Sequence, residues 1–460
     1  MQNSTPNPVP NAGPDPEPNL GPSPTRESAL IDEIVAGRFT DPQTGRTLTV
    51  PYEQIVIAPD LRGQERGLVD ALRFGRRLAV VSDRATHGAL GERIEAALAE
   101  GYEIDSVVLD HPHADENQVE VLVGRVQKAQ ALIAVGSGTV NDLCKYVTFQ
   151  TGRPYAVFGT AASMNGYTSI TSSITLRSGL KTSLPAQAAR GVFLDLAVSA
   201  AAPGYLAAAG FGDSLCRSTA QVDSWLAHRL LGATYTRTPF TIQERDEAEM
   251  LAQAAGVREH DLEALTSLHR VLTLCGLGVS LTGTTNHGSM GEHQISHYID
   301  CFAGARHPGT LHGQQVGVAS VTMAYLQAWF LALDQPPTVR ATVIDEADLR
   351  RRMGAEAAEQ CLAQWRLKAL DEDGAARLNA SLRALWPQLR EECAPFVIPP
   401  ATLRERLREA GGPTTAAELG LEADFYREAV LHAREMRNRF SVLDLLADAG
   451  VLDDALRASA

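Results

Sequence analysis

The feature that most constrains the fold is an alternation of short apolar runs and helical stretches over residues 28–195. Five runs have the length and composition of buried strands: residues 77–82, 104–109, 131–135, 155–158 and 191–194. Strands that alternate with helices predict a parallel, doubly wound sheet. After residue 198 the pattern is helical. We therefore predict an α/β, Rossmann-like nucleotide-binding domain over residues 28–198 and an all-helical metal- and substrate-binding domain over residues 199–460, with the site in the crevice between them.

The amino terminus has a different composition. The first 28 residues hold eight of the 24 prolines and almost no large apolar side chains. Such a segment cannot bury enough surface to offset its ordering entropy, so we expect residues 1–27 to form a disordered tail. It has neither the basic start nor the apolar stretch of a secretory signal.

Charge and cysteine content narrow the functional classes. The chain has 55 acidic and 41 basic residues, a net charge of −14 that repels phosphate backbones, so we expect no nucleic-acid partner. No run of 18 or more apolar residues occurs, so we expect no membrane insertion. The six cysteines form no C-x-x-C pair, which indicates reduced thiols and a cytoplasmic protein.

A glycine-rich loop follows the third predicted strand and precedes a helical run. Its first five residues are Gly136, Ser137, Gly138, Thr139 and Val140. Glycines let backbone N–H groups approach a pyrophosphate, and the helix N-terminus that follows favours its charge. The loop is neither G-x-G-x-x-G nor a Walker sequence, so a tight strand-to-helix turn is the alternative interpretation.

Two further features lie at strand ends, where open α/β sheets bind cofactors. Residues 159–169 form a loop of glycines and hydroxyl side chains, for which a polar surface turn is the alternative. Asp83 ends the first predicted strand and could bond a ribose hydroxyl, although a helix N-cap explains it equally well.

A cluster of histidines is the most specific indication of a metal site in the sequence. Five of the 12 histidines lie over residues 287–312, and His293 and His297 are four residues apart, on one helix face. His312 follows fifteen residues later, and Asp213 begins a helical stretch upstream. One carboxylate and two imidazoles leave coordination positions open, as in catalytic zinc, iron or nickel sites. The alternative is surface histidines without a metal.

In their order along the chain, these motifs resemble the sn-glycerol-1-phosphate dehydrogenases, within the superfamily of iron-containing alcohol dehydrogenases and dehydroquinate synthases. The resemblance covers roughly residues 28–453, including the closing segment 438–446. It implies an NAD(P)H-linked oxidoreductase that interconverts dihydroxyacetone phosphate and sn-glycerol 1-phosphate. It also implies one divalent metal (zinc first, nickel or iron as alternatives), a small phosphorylated polyol or ketone as substrate, and a homo-oligomer.

The resemblance also assigns residues. The metal ligands would be Asp213, His293 and His312, and the substrate would contact Asn165, Asp213 and His297. We take Asp213 and His297 as the catalytic pair, with His297, or a water it holds, as proton donor. The dinucleotide would lie on the glycine loop and on Thr160, Ala161, Ala162, Ser163 and Ser169, with Asp83 at the ribose.

The sequence departs from the family pattern beside the expected substrate. Asn165 stands where the family usually has an aspartate, and residues 285–291 also differ. The departures leave open an unphosphorylated polyol or glycerol dehydrogenase of the same superfamily. A sugar-phosphate cyclase that resembles dehydroquinate synthase is a further alternative, although cyclases typically carry glutamate at the position of Asp213.

Overall fold

A computed structural model of the chain describes residues 28–458, so the predicted tail, residues 1–27, lies outside the described residues. Six parallel strands form the central sheet in the order β1-β8-β5-β4-β2-β3, and β6 and β7 form a separate antiparallel hairpin. The strands are β1 (Gln54–Ala58), β2 (Arg77–Asp83), β3 (Glu103–Leu109), β4 (Ala131–Gly136), β5 (Tyr155–Gly159), β6 (Thr171–Thr175), β7 (Lys181–Pro185) and β8 (Gly191–Asp195).

Helices cover both faces of this sheet, and every residue of β4, β5 and β8 is buried, as expected for inner strands of a parallel sheet. The helices up to the end of β8 are α1 (Ser28–Val35), α2 (Glu65–Ala71), α3 (Arg84–Thr86), α4 (Glu92–Leu98), α5 (Glu116–Arg125) and α6 (Gly138–Thr151), with a π-helical turn, His87–Gly91, between α3 and α4.

From Leu196 the described chain is helical. Its helices are α7 (Leu196–Ala201), α8 (Gly204–Ser214), α9 (Cys216–Leu231), α10 (Thr238–Thr241), α11 (Glu244–Ala252), α12 (Ala254–Arg258), α13 (Leu262–Thr282), α14 (Gly291–Phe302), α15 (His312–Ala332), α16 (Glu346–Met353), α17 (Ala355–Trp365), α18 (Glu372–Cys393), α19 (Pro400–Glu409), α20 (Ala423–His432), α21 (Val442–Asp448) and α22 (Leu452–Ala458).

The predicted fold class, a parallel α/β sheet followed by helices, is confirmed. Our strand prediction omitted β1 and the β6–β7 hairpin. The hairpin is only partly buried and its strands read TSSIT and KTSLP, so it lacks the apolar pattern of the inner strands. The boundary at residue 198 stays a prediction.

One helix, α13, is long and apolar enough to cross a membrane by length and composition, although no uninterrupted apolar run marks it. In this fold 83% of the most apolar 18-residue stretch of α13 is buried, as is typical of a core helix in a folded protein. All six cysteines lie in the described part of the chain and are free.

Candidate functional site

The two predicted cofactor loops leave the sheet side by side. Gly136, the last residue of β4, pairs in register with Gly159, the last residue of β5. The amide of Thr160 then donates to the carbonyl of Gly136 over 3.2 Å. In the strand order, β4 and β2 flank the point where the chain reverses direction across the sheet. Open α/β sheets bind ligands at the carboxyl ends of such strands.

The glycine loop places the N-terminus of α6 at a cavity of about 460 Å³. Ser137 precedes the helix, and its side chain does not cap it, so the first helical N–H groups are open to a ligand. Gly136 has no room for a side chain, because a Cβ there would lie 2.8 Å from that of Val140. A phosphate group suits this helix end.

The structure separates the predicted dinucleotide residues into two groups. Ser137, Gly138, Thr139, Ser163 and Ser169 line the cavity. The other predicted residues of the two loops are buried and do not line the cavity: Gly136, Val140, Thr160, Ala161 and Ala162.

Asp83 does not line this cavity, and its Oδ1 caps α3 by accepting from the amide of Thr86 at 2.8 Å. The structure therefore agrees with the helix-capping interpretation for one of the two carboxylate oxygens of Asp83. A ribose contact through the other oxygen stays a prediction.

Three helices bring the predicted metal ligands together. Asp213 lies in the last turn of α8, so the prediction that it begins a helix is wrong; His293 lies in α14 and His312 opens α15. One ligand atom from each lies within 4.8 Å of the other two. His293 Nε2 is 3.4 Å from Asp213 Oδ1. All three residues line the same cavity as the cofactor loops.

Glycines permit this approach. A Cβ on Gly212 would lie 2.4 Å from the carbonyl oxygen of Gly313, so α8 and α15 touch backbone to backbone immediately beside Asp213 and His312. A Cβ on Gly210 would lie 1.9 Å from the carbonyl oxygen of Ala162, so α8 also presses on the second cofactor loop. These glycines explain the local sequence Gly210-Phe211-Gly212-Asp213.

Outer partners orient both imidazoles. Glu292 Oε1 lies 3.1 Å from His293 Nδ1, which leaves Nε2 directed at Asp213. Ser296 Oγ lies 2.8 Å from His312 Nδ1, and Ser296 in turn donates to Gln315. Metal-binding histidines commonly engage their second nitrogen in this way.

The donor set fits a divalent metal. Asp213 is buried, and its Oδ1 has no hydrogen-bond partner within the described chain, which is costly for a carboxylate oxygen unless a cation completes it. Burial raises the pKa of Asp213, but the nearby imidazoles of His293 and His312 and the backbone N–H of Asn165 outweigh burial and hold it below its usual value. A second group, Cys216 with Glu292 and His293, is less suitable, because the Cys216 thiol donates to the carbonyl of Gly288 and burial raises its pKa.

Asn165 and His297 lie on the cavity wall beside this triad. The backbone N–H of Asn165 donates to Asp213 Oδ2 over 3.2 Å. The side-chain Nδ2 of Asn165 donates to Cys275 Sγ over 3.5 Å. His297 Nε2 accepts from the guanidinium of Arg437 at 3.2 Å. Since a guanidinium only donates, the His297 ring is neutral with its proton on Nδ1. Burial and the Arg437 charge lower the pKa of His297 well below its usual value.

Sequence reasoning did not identify several residues of the site. Glu292, Ser296, Cys275 and Arg437 contact the predicted ligands or substrate residues directly. Glu292 and Ser296 share a helix with His293, so their spacing offered a signal. Cys275 and Arg437 are distant in sequence and offered none.

Comparisons with known proteins agree with this geometry. The sequence profile of the family described as "Iron-containing alcohol dehydrogenase" matches residues 56–203. A glycerol-1-phosphate dehydrogenase (NAD(P)+) of Bacillus subtilis is 26% identical over 411 residues, 87% of this chain and 92% of that protein. The enzyme of the same name from Methanoculleus marisnigri is 30% identical over 277 residues, 59% of this chain and 74% of that protein.

Solved structures agree on the fold. A probable glycerol dehydrogenase from Sinorhizobium meliloti superposes with a TM-score of 0.59 at 19% identity, and the match covers 89% of this chain and 96% of that chain. The sequence relatives and this architecture lead to one conclusion: the chain belongs to the glycerol-1-phosphate dehydrogenase family, within the iron-containing alcohol dehydrogenases.

Proposed function

We propose that the protein is a metal-dependent, NAD(P)H-linked dehydrogenase that interconverts dihydroxyacetone phosphate and sn-glycerol 1-phosphate. The observation that carries the proposal is one cavity whose wall includes the glycine loop, the second cofactor loop and the triad of Asp213, His293 and His312. Relatives that carry the name glycerol-1-phosphate dehydrogenase (NAD(P)+) support the reaction and the substrate.

The two bound groups have distinct tasks. Asp213, His293 and His312 would hold a divalent metal, for which we propose zinc because one carboxylate and two imidazoles suit it. The metal supplies Lewis-acid polarisation of the substrate carbonyl, and the reduced nicotinamide supplies the hydride. The N-terminus of α6 and the second loop align the cofactor with the substrate across the cavity.

His297 and Asn165 orient the substrate in this proposal. The neutral His297 ring holds its proton at Nδ1, a buried atom with no partner in the described chain, so Nδ1–H can donate to a substrate oxygen. A neutral imidazole gives up that proton far less readily than an imidazolium does. We therefore assign protonation of the product oxygen to a water that His297 holds, and to His297 itself the role of hydrogen-bond donor.

Steady-state kinetics test the proposal. We expect the enzyme to oxidise NADH or NADPH with dihydroxyacetone phosphate, to lose this activity on treatment with a chelator, and to regain it with Zn²⁺. A chelator-treated enzyme with full activity would contradict the metal assignment.

A second candidate function is an unphosphorylated polyol dehydrogenase. Asn165 favours it, because the resemblance places a carboxylate at this substrate-facing position and the amide lacks that charge. A preference for dihydroxyacetone over its phosphate would decide for this alternative.

A further inference from the structure

The hairpin of β6 and β7 turns one polar face towards the active-site cavity. Successive side chains of a strand point to opposite faces, and alternate residues of the hairpin line the cavity: Thr171, Ser173 and Thr175 of β6, and Lys181 and Ser183 of β7. Ser173 lies opposite Ser183 in the strand pairing, and Thr175 lies opposite Lys181. These five side chains, four hydroxyls and one ammonium group, form a single surface that we call the hairpin face.

Most hydroxyls of the hairpin face are available to a ligand. Thr171 Oγ1 lies 2.9 Å from Ser169 Oγ, so this end of the face adjoins the second cofactor loop. The hydroxyls of Ser173, Thr175 and Ser183 have no hydrogen-bond partner among the residues that the structure describes. A ligand with several oxygen acceptors could therefore bind to them together.

Lys181 supplies the positive charge of this face. Among the described residues that line the cavity, it is the only lysine or arginine, and Arg437, which contacts His297, is not part of the lining. Burial opposes the charge of Lys181, but the neighbouring Asp300 outweighs burial and raises the pKa of Lys181, so the ammonium group stays charged. Burial lowers the pKa of His297 and of His312, and the charge of Lys181 adds to both effects, so Lys181 lies at the metal and substrate end of the cavity.

The ion pair of Lys181 with Asp300 leaves it able to bind a second anion. Its Nζ lies 2.7 Å from Asp300 Oδ2, which uses one of three N–H donors. Asp300 also interacts through its other oxygen, Oδ1, which accepts from Gln315 Nε2 over 3.0 Å and lies 3.2 Å from His307 Nε2. The side chain of Lys181 keeps 25% of its surface exposed, so its remaining N–H groups can reach a ligand in the cavity.

The other carboxylates of the cavity wall have cations of their own. Asp142 Oδ1 lies 3.7 Å from Lys145 Nζ, and its Oδ2 accepts from the backbone N–H of Ser173 over 3.3 Å. Asp213 belongs to the proposed metal triad. An anion bound at the hairpin face would therefore meet no carboxylate without a positive partner.

We propose that the hairpin face is the phosphate subsite of the substrate pocket, with Lys181 as its cation and the hydroxyls of Thr175 and Ser183 beside it as hydrogen-bond donors. This inference rests on the proposed function. A phosphate group has several acceptor oxygens, so one group can bind an ammonium and neighbouring hydroxyls at once. Because the charge of Lys181 acts on His297 and His312, the phosphate would be held close to the carbonyl that the metal polarises, as a substrate this short requires.

Two variants that break the same ion pair test the subsite. Lys181→Gln removes the cation, whereas Asp300→Asn removes its partner and leaves the ammonium in the cavity. The measured quantity is the ratio of KM for dihydroxyacetone phosphate to KM for dihydroxyacetone, because any disturbance of the metal ligands affects both substrates. We expect this ratio to rise roughly 10- to 100-fold in Lys181→Gln, as for a lost charge-assisted hydrogen bond. In Asp300→Asn it should stay at the wild-type value or fall.

Three results would overturn the subsite. An equal rise of the ratio in both variants would show that Lys181 acts only through its ion pair with Asp300. An unchanged ratio in Lys181→Gln would show that the substrate phosphate lies elsewhere. A rise in KM for NADH, with the ratio unchanged, would assign Lys181 to a phosphate group of the cofactor. Lys181→Arg keeps the charge and should recover part of the loss, in agreement with the proposal.

Direct binding separates this inference from the proposed function. Calorimetric titration of the NADH-bound protein with inorganic phosphate should show binding to the wild type and roughly tenfold or weaker binding to Lys181→Gln, at matched melting temperature. Equal phosphate affinity in both proteins would overturn the subsite even if the wild type reduces dihydroxyacetone phosphate. A wild type that binds phosphate through Lys181 but does not reduce dihydroxyacetone phosphate would refute the proposed function and leave the phosphate subsite standing.

Discussion

The backbone contact between α8 and α15 gives a prediction whose size follows from the structure. In Gly212→Ala the new Cβ would lie 2.4 Å from the carbonyl oxygen of Gly313, whereas ordinary contacts begin near 3.4 Å. The helices must therefore separate by about 1 Å. Overpacking of this kind costs about 1–3 kcal/mol of unfolding free energy.

The separation also reaches the metal ligands. Asp213 is the next residue on α8, and His312 precedes Gly313 on α15, so a shift of about 1 Å far exceeds the tolerance of roughly 0.2 Å in metal–ligand distances. We expect zinc affinity to fall on the order of 10- to 100-fold, as when an outer partner of a metal ligand is lost. The assays are denaturant unfolding and competition for Zn²⁺ with a chelator of known affinity.

A substitution at a second glycine is the control, because we expect it to raise the stability of the protein instead of lowering it. Gly124 lies in α5, and a Cβ added to it would meet nothing within 4 Å. Gly124→Ala should raise the unfolding free energy by about 0.4–1 kcal/mol, because alanine restricts the unfolded chain. If Gly212→Ala matched the wild type in stability and zinc affinity, the argument from close helix contact would be refuted.

Three further predictions concern single side chains. Glu292→Gln should weaken zinc binding about 10- to 100-fold, because the charge that orients His293 is lost; elemental analysis after limited dialysis measures it, and full occupancy would contradict it. Asn165→Asp should lower KM for dihydroxyacetone phosphate roughly 5- to 30-fold, equivalent to about 1 to 2 kcal/mol, the worth of one charge-assisted hydrogen bond; lost activity without a lower KM would argue for another substrate. Burial lowers the pKa of His287 to about 4, so the unfolded state takes up its proton first as the pH falls. Stability should then decline from about pH 6.5 towards 4, by about 1.4 kcal/mol per unit for this histidine, and unfolding curves of His287→Gln should show a shallower decline.

The sequence predicts those parts of the structure that leave a local pattern. The inner strands are apolar on both faces, so their runs were visible, whereas the hairpin of β6 and β7 mixes polar and apolar residues and was not. The two histidines of α14 are evident from their spacing, and the resemblance adds Asp213 and His312. The pairing of His297 with Arg437 depends on tertiary packing across 140 residues, which no local pattern records.

The hydrogen bond from the backbone N–H of Asn165 to Asp213 Oδ2 joins the second cofactor loop to a proposed metal ligand. If the dinucleotide orders that loop, and a cation fixes Asp213, each binding event prepares the position of the other partner. Thermodynamic reciprocity then requires that the factor by which the cofactor tightens metal binding equal the factor by which the metal tightens cofactor binding. Loss of the metal would therefore have two effects: it would remove the Lewis acid from the reaction, and it would lower the affinity for the nucleotide.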